Sequence, residues 1–237
     1  MFNSIKDKFQ LRFKNRVFAA NILAGAVQDR LKEKKIDVNK NNLLILGIPR
    51  GGVIVADIIA SKMGKCDFDI IVSRKLTAPH NSELAIGAIM EDGTTYLNDD
   101  LVSDLKIDQE YMEREKEKQI LEIRRRKFLY RCGLYGETIK EKTKTVILID
   151  DGAATGATLI AASRWIKKKS PKSRLMIGLP VAPKKTFGLL QKECEYVVVA
   201  SAISTGFGAV ANYYQDFRQV TDEEVVEICE KRIKLKE

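Results

Sequence analysis

Residues 146–158 read Val-Ile-Leu-Ile-Asp-Asp-Gly-Ala-Ala-Thr-Gly-Ala-Thr, and their order decides the fold. Val146 to Ile149 are apolar and mostly β-branched, the pattern of a strand buried on both faces. Asp150 and Asp151 end the strand, and a loop of small residues follows: Gly152, Ala153, Ala154, Thr155, Gly156, Ala157 and Thr158. Leu159 to Ile166 then reads as a helix. A strand, a tight loop and a helix in that order aim backbone N–H groups and a positive dipole end at one point, which suits a phosphate. Small residues let an anion approach the backbone, and Thr155 and Thr158 add hydroxyl donors. Asp150 and Asp151 only accept hydrogen bonds when ionised, which suits a ribose diol or a hydrated metal. One segment thus offers a phosphate cup beside a diol grip.

A second unit of the same kind lies upstream. Leu43–Leu46 reads as a core strand, Gly47-Ile-Pro-Arg-Gly-Gly52 as a glycine-rich turn, and Val53 to Met63 as a helix. Glycines let the backbone approach a ligand, and the planar fork of Arg50 suits a pyrophosphate. Asp69–Val72 reads as a further strand, with Arg74 and Lys75 at its end. In open parallel sheets, ligands sit at the carboxyl ends of strands. Cations there would face pyrophosphate, and acids would face sugar and metal.

These segments resemble the phosphoribosyl-pyrophosphate (PRPP) signature of type I phosphoribosyltransferases. That signature is an apolar strand, two acids, two small residues, a variable residue and Thr-Gly-x-Thr. It is neither a Walker loop, which needs Gly-Lys-Ser/Thr, nor the dinucleotide Gly-x-Gly-x-x-Gly. The run Arg-Lys-Leu…Pro…Asn-x-Glu-Leu-Ala-Ile-Gly-Ala at 74–88 is similar to a stand-alone prokaryotic branch of that family whose acceptor is not assigned. The resemblance implies a doubly wound α/β fold with a mainly parallel sheet, flanking helices, a flap hairpin and a small hood. It spans one domain, 1–237, with a core at about 43–200. It implies that a nitrogen nucleophile displaces pyrophosphate from the sugar C1, with Mg2+ on the pyrophosphate and only indirectly on Asp150 and Asp151. The 5-phosphate would sit on 152–158, the diol on Asp150 and Asp151, and pyrophosphate on Arg50, Gly51, Arg74 and Lys75. Enzymes for 6-oxopurines usually place an acid where this chain has Ala154, so a base of another kind is expected.

Asp-Gly at 92–93 marks a hairpin between Glu83–Met90 and Thr94–Leu97, where the family has a flap that closes over its site. Leu76–Ser82 before it reads as a loop. Glu83 reads either as a general acid–base in the flap or as a solvent-facing strand residue. His80 reads as an ordinary loop histidine. Residues 108–130 are highly charged with an interrupted apolar stripe, the mark of a long exposed helix. Phe207, Tyr213 and Tyr214 follow the last strand; they either stack on an acceptor base or tie the C-terminus to the body. Thr221-Asp-Glu-Glu224 is a capping box that opens a last helix. Residues 1–16 read as a basic arm with apolar Phe2, Ile5, Phe9, Leu11 and Phe13, and the first helix starts at Val17.

The bulk numbers set the outer limits. A chain of 237 residues carries one sizeable core. No apolar run approaches the ~20 residues of a membrane span, and four separated cysteines read as reduced thiols. A cytoplasmic protein, a homo-oligomer of dimer type, is expected. The net charge of +9 suits either nucleic acid or a polyanionic small molecule. No basic stripe alternates with aromatics and no reader motif occurs, which argues against nucleic acid. A PRPP-binding regulator that contacts RNA or DNA is the alternative to an enzyme. One histidine and no Gly-x-Ser-x-Gly argue against a hydrolase.

Overall fold

Apolar runs become strands buried on both faces, and the chain winds around them. The computed structural model describes residues 12–36, 42–64, 66–131, 138–140, 143–203 and 205–235; most of the basic arm lies outside them. The first half holds α1 (Arg16–Glu33), β1 (Leu43–Gly47), α2 (Gly51–Met63), β2 (Asp67–Ile70), β3 (Arg74–Ala78), β4 (Asn81–Ile89) and β5 (Thr95–Leu97). Two helices follow, α3 (Asp99–Asp104) and α4 (Gln109–Tyr130). The second half holds β6 (Thr145–Ile149), α5 (Ala157–Lys169), β7 (Arg174–Pro183), α6 (Lys184–Leu190), β8 (Tyr196–Ile203) and α7 (Asp222–Lys234).

The main sheet has five parallel strands in the order β2-β1-β6-β7-β8. Side chains alternate between its faces. Leu43, Ile45, Ile147, Ile149 and Met176 pack with α1 and α2 on one face. Leu44, Leu46, Val146, Leu148, Leu175 and Ile177 pack with Leu159, Ile160 and Ile166 of α5 on the other. From β1 the chain steps to β2 on one side, while β6, β7 and β8 extend to the other. The strand order therefore reverses between β1 and β6, and an open α/β sheet has its ligand crevice at such a point.

A second, antiparallel sheet, β3-β4-β5, forms the expected hairpin. Gly93 turns it at a φ of +84°, and the Thr94 amide donates to Asp92 Oδ1 at 3.0 Å. This sheet corrects the expected strand ends. β2 stops at Ile70, and Arg74 and Lys75 open β3, opposite Ile89 and Ala88 of β4. Ile71 and Val72 are buried as their apolar character requires, but burial alone does not keep a residue in the ladder. The expected loop from Leu76 begins as strand because Leu76 and Ala78 alternate inward.

The interrupted stripe of α4 also has a physical cause. Its buried face runs Met112, Glu115, Gln119, Ile123 and Tyr130, so two of its inward positions are polar. Arg74 Nε donates to Gln119 Oε1 at 2.9 Å, Gln119 Nε2 to Glu115 Oε1 at 2.9 Å, and Thr77 Oγ1 to Glu115 at 3.1 Å. This chain of bonds ties the helix to β3.

Leu148→Ala opens a cavity in a fully buried strand and is expected to cost about 2–5 kcal/mol in urea denaturation. Gly87→Ala acts locally, because a Cβ there would lie 2.3 Å from the Tyr96 carbonyl oxygen. Amide exchange is expected to accelerate in β5 and to stay slow in β1 and β6; uniform acceleration would contradict a local role for Gly87.

Candidate functional site

The loops after β1 and β6 meet at the reversal point. The Ile48 amide donates to the Ile149 carbonyl at 2.9 Å, which carries the ladder one residue past β1. A Cβ on Gly52 would lie 2.8 Å from Asp150 Cα, and one on Gly51 would lie 1.8 Å from Asp151 Oδ2. Only glycine allows the loops to lie this close. The Pro49–Arg50 peptide between them is cis.

Two helices start here, and neither has a side-chain cap. Arg50 precedes α2, and Gly156, at a φ of +77°, precedes α5. Neither first turn carries an acid. Four other helices are capped, by Asn15 at α1, Asn98 at α3, Asp108 at α4 and Thr221 at α7, while the short α6 starts after Pro183 without a cap. The N-terminal amides of a helix need acceptors; the Ala157 amide has a long bond to Thr155 Oγ1, at 3.4 Å, and the two helix starts otherwise offer donors to an anion. Ala154 and Thr155 are exposed at this loop, Thr158 is half-buried, and Ala153 and Ala157 are buried beneath. The loop is fixed from behind: the Ala153 amide donates to the Val181 carbonyl at 3.0 Å, and Thr186 Oγ1 to the Ala154 carbonyl at 2.5 Å.

The two acids are not equivalent. Asp150 Oδ1 accepts the Asp151 amide at 2.8 Å. Asp151 Oδ2 accepts from Arg16 Nε at 2.6 Å, and its carbonyl accepts the Tyr214 hydroxyl at 2.6 Å. Burial pushes Asp150 well above the usual carboxylate range, and the charge of Asp151 adds to this. Burial raises Asp151 as well, opposed by the Arg16 guanidinium. Asp150 is therefore the acid that keeps a proton to higher pH. Among the described residues no three His, Cys, Asp or Glu side chains gather as a metal-ligand set.

The expected cations separate. Arg50 reaches Asp222 at 3.6 Å. Burial raises Asp222, but the Tyr130 hydroxyl, at 2.6 Å, and Arg126, Arg50 and Arg125 outweigh it and lower the acid. Arg74 and Lys75 are neighbours on a strand and point opposite ways. Arg74 turns to Gln119 of α4, and burial and the nearby Arg126 lower its pKa. Lys75 is exposed, and its charge acts on Asp150. Of this pair, Lys75 is the one beside the acids.

The aromatic residues do not form an open stacking platform. Tyr213 and Tyr214 are each 1% exposed. Phe207 stacks on Tyr213 at 5.0 Å, and Phe13 and Phe217 cover Tyr214 at 5.5 and 4.8 Å. Of the three acceptor candidates, Phe207 alone keeps partial exposure. Glu83 falls within β4, and its side chain lies outside the described set. His80 turns from β3 to β4 at a φ of +59°.

Arg16 is the site residue that the sequence reading left out, with Tyr214 as its neighbour. One signal was available: Asn15 caps the helix, so Arg16 occupies its first position. A cation is disfavoured at that end of a helix, so its presence there points to an acid partner elsewhere.

The chain can now be set beside known proteins. It is 35% identical to TT1426 from Thermus thermophilus, whose crystal structure superposes with a TM-score of 0.71 over 93% of this chain and 98% of that one. It is 33% identical over 202 residues to Rv0571c, a provisionally named phosphoribosyl transferase of Mycobacterium tuberculosis. That match covers 85% of this chain and 44% of the relative, so the chain spans less than half of that protein's length. The family model for the phosphoribosyl transferase domain matches residues 17–215, from the first helix to the tyrosine pair. A reversed parallel sheet, the acid pair and the loop at 152–158 lie within that match, and the chain belongs to the phosphoribosyl transferase domain family.

Proposed function

We propose that the protein transfers a phosphoribosyl group from PRPP to a nitrogenous base and releases pyrophosphate. One observation carries this reading: two uncapped helix N-termini meet an acid pair at the point where the strand order reverses. Each part of the donor then has a chemical counterpart. The α5 start and the hydroxyls of Thr155 and Thr158 take the 5-phosphate. Asp150 and Asp151 accept from the ribose hydroxyls. The α2 start, Gly51, Arg50 and Lys75 take the pyrophosphate, with Arg74 held behind them against α4. In the reaction the C1–O bond to pyrophosphate breaks and a C1–N bond forms. The positive charge that develops at C1 is stabilised by fixed groups already in place, so the protein acts by positioning and electrostatics.

The donor set fits a Mg2+ ion that keeps several waters and takes other oxygens from pyrophosphate, since such an ion needs only one or two carboxylates. Bound there, it would offset charge on the leaving group. The β3-β4-β5 sheet takes the role of a flap that keeps water from the activated sugar, with Glu83 on it as a candidate proton carrier. The acceptor is a base other than a 6-oxopurine, because the loop presents the methyl group of Ala154 where an acid would meet the purine. The reading places the protein in the cytoplasm as a homo-oligomer. Among the described residues no helix is long and apolar enough to cross a membrane.

Calorimetric titration of PRPP with magnesium tests the donor half. Asp150→Asn combined with Asp151→Asn is expected to weaken PRPP binding by about tenfold or more while the circular dichroism stays unchanged. Folded wild-type protein that binds no PRPP would remove the proposal. Arg50→Ala is expected to weaken PRPP more than ribose 5-phosphate; equal losses would take Arg50 out of the pyrophosphate site.

A stability measurement tests the acid pair itself. An acid raised on folding costs stability once pH exceeds its unfolded value, because the unfolded chain gives up the proton more readily. Asp150→Asn is therefore expected to raise Tm near neutral pH. The gain should shrink as pH falls toward the ordinary carboxylate range, and a variant no more stable than wild type at neutral pH would contradict the burial argument.

A further inference from the structure

We propose that Arg16 is a positioning residue of this site, fixing Asp151 as an oriented anion so that the two adjacent acids grip the ribose diol unequally. The inference rests on the PRPP reading above and concerns how the diol is held. Its basis is an ion pair that no solvated surface explains. Arg16 Nε lies 2.6 Å from Asp151 Oδ2, with side chains 10% and 14% exposed. The guanidinium has two further contacts: Nη1 donates to the Arg218 carbonyl at 2.8 Å, and the Phe217 ring centre lies 3.8 Å from Cζ. Planar, forked and stackable, an arginine satisfies all three partners where a lysine cannot.

The position is also costly. Arg16 opens α1, where the helix dipole repels a cation, and little water reaches it. A buried charge at such a place persists when an anion compensates it, and that anion here is one of the two acids proposed to hold the sugar. The neighbouring loop is shaped around the pair. A Cβ on Gly51 would lie 2.7 Å from Arg16 Nε and 1.8 Å from Asp151 Oδ2. Any larger residue at position 51 would displace the contact.

Two chain segments bring Arg16 to the site. The Phe13 amide donates to the Tyr213 carbonyl at 2.8 Å, Gln215 to Phe13 at 2.8 Å, and Asp216 to Lys14 at 3.0 Å. The same strap carries Tyr214, whose hydroxyl holds the Asp151 carbonyl. Asp151 is therefore fixed through its backbone by Tyr214 and through one carboxylate oxygen by Arg16. In the proposed grip its other oxygen accepts from a ribose hydroxyl. No side-chain cation is bonded to Asp150 among the described residues, and that acid can adjust as the ligand arrives.

The test titrates PRPP, ribose 5-phosphate and inorganic pyrophosphate, each with magnesium, into wild type, Arg16→Gln and Arg16→Lys. Arg16→Gln is expected to weaken both sugar ligands by about tenfold or more and to leave pyrophosphate within about twofold. Arg16→Lys is expected to recover part of the loss. Unchanged ribose 5-phosphate binding by Arg16→Gln overturns the inference alone, and so does a parallel loss of all three ligands, which marks a purely structural residue. Wild type that binds neither sugar ligand is a different result: it ends the PRPP reading and this inference with it. Should Arg16→Gln fail to fold, Phe217→Leu uncovers the guanidinium and keeps its charge. It is expected to show the same selective loss at smaller size, and a loss shared equally by pyrophosphate overturns the inference.

Discussion

Backbone amides at the start of a helix need acceptors, and at the centre of this fold two helices begin at residues that offer no side-chain cap. The rest of the site follows from that constraint. Both helices must begin at one place, which requires their strands to be neighbours in the sheet. β1 and β6 are neighbours, although about a hundred residues separate them in sequence. Their loops must also lie close enough to share one anion. Gly51 and Gly52 meet that requirement, because the space a side chain would need is filled by Asp150 and Asp151. Sheet order, helix starts and loop composition are thus parts of a single requirement.

Placing two carboxyl groups beside these donors creates an opposite problem. The donors favour negative charge, but the acids repel each other and are largely withdrawn from water. The structure resolves this unequally. Asp151 has a buried guanidinium, while Asp150 is driven toward its neutral form. The cost falls on the folded state, and in the proposed function a ligand that brings hydroxyl donors and cations relieves it. Functional sites commonly hold such locally unfavourable groups.

Much of this was legible in the sequence. Apolar runs of four or five residues, two of them followed by small residues and a helix, pointed to a parallel sheet. The acid pair and the Thr-Gly-Ala-Thr loop were expected at the ligand end, and the structure brings them to the point where the strand order reverses. What escaped reading was long-range or lacked an apolar pattern. β3 was hidden because Arg74-Lys-Leu-Thr-Ala is short and mostly polar, and its partner strand lies past a proline. The inward face of α4 was hidden because Glu115 and Gln119 occupy it, and their burial makes sense only with Arg74 and Thr77 in place. Tyr213 and Tyr214 left two readings open, a platform for a base or a tie between the C-terminus and the body, because composition does not show what covers a ring. Arg16 looked like one more charge in a basic arm, since its partner lies 135 positions away.

The strap that joins 13–16 to 213–218 also affects the order of assembly. Its bonds span about two hundred residues, among the most distant in sequence that the fold makes. The parallel sheet needs nothing beyond β8. A chain emerging from the ribosome can therefore form its sheet and both helix starts while Asp151 still lacks Arg218, Phe217 and Tyr214 around its partner. Closing so large a loop is slow relative to local structure. The contacts that hold Arg16 over Asp151 are therefore complete only when 13–16 and 213–218 come together, after the sheet that carries the acids.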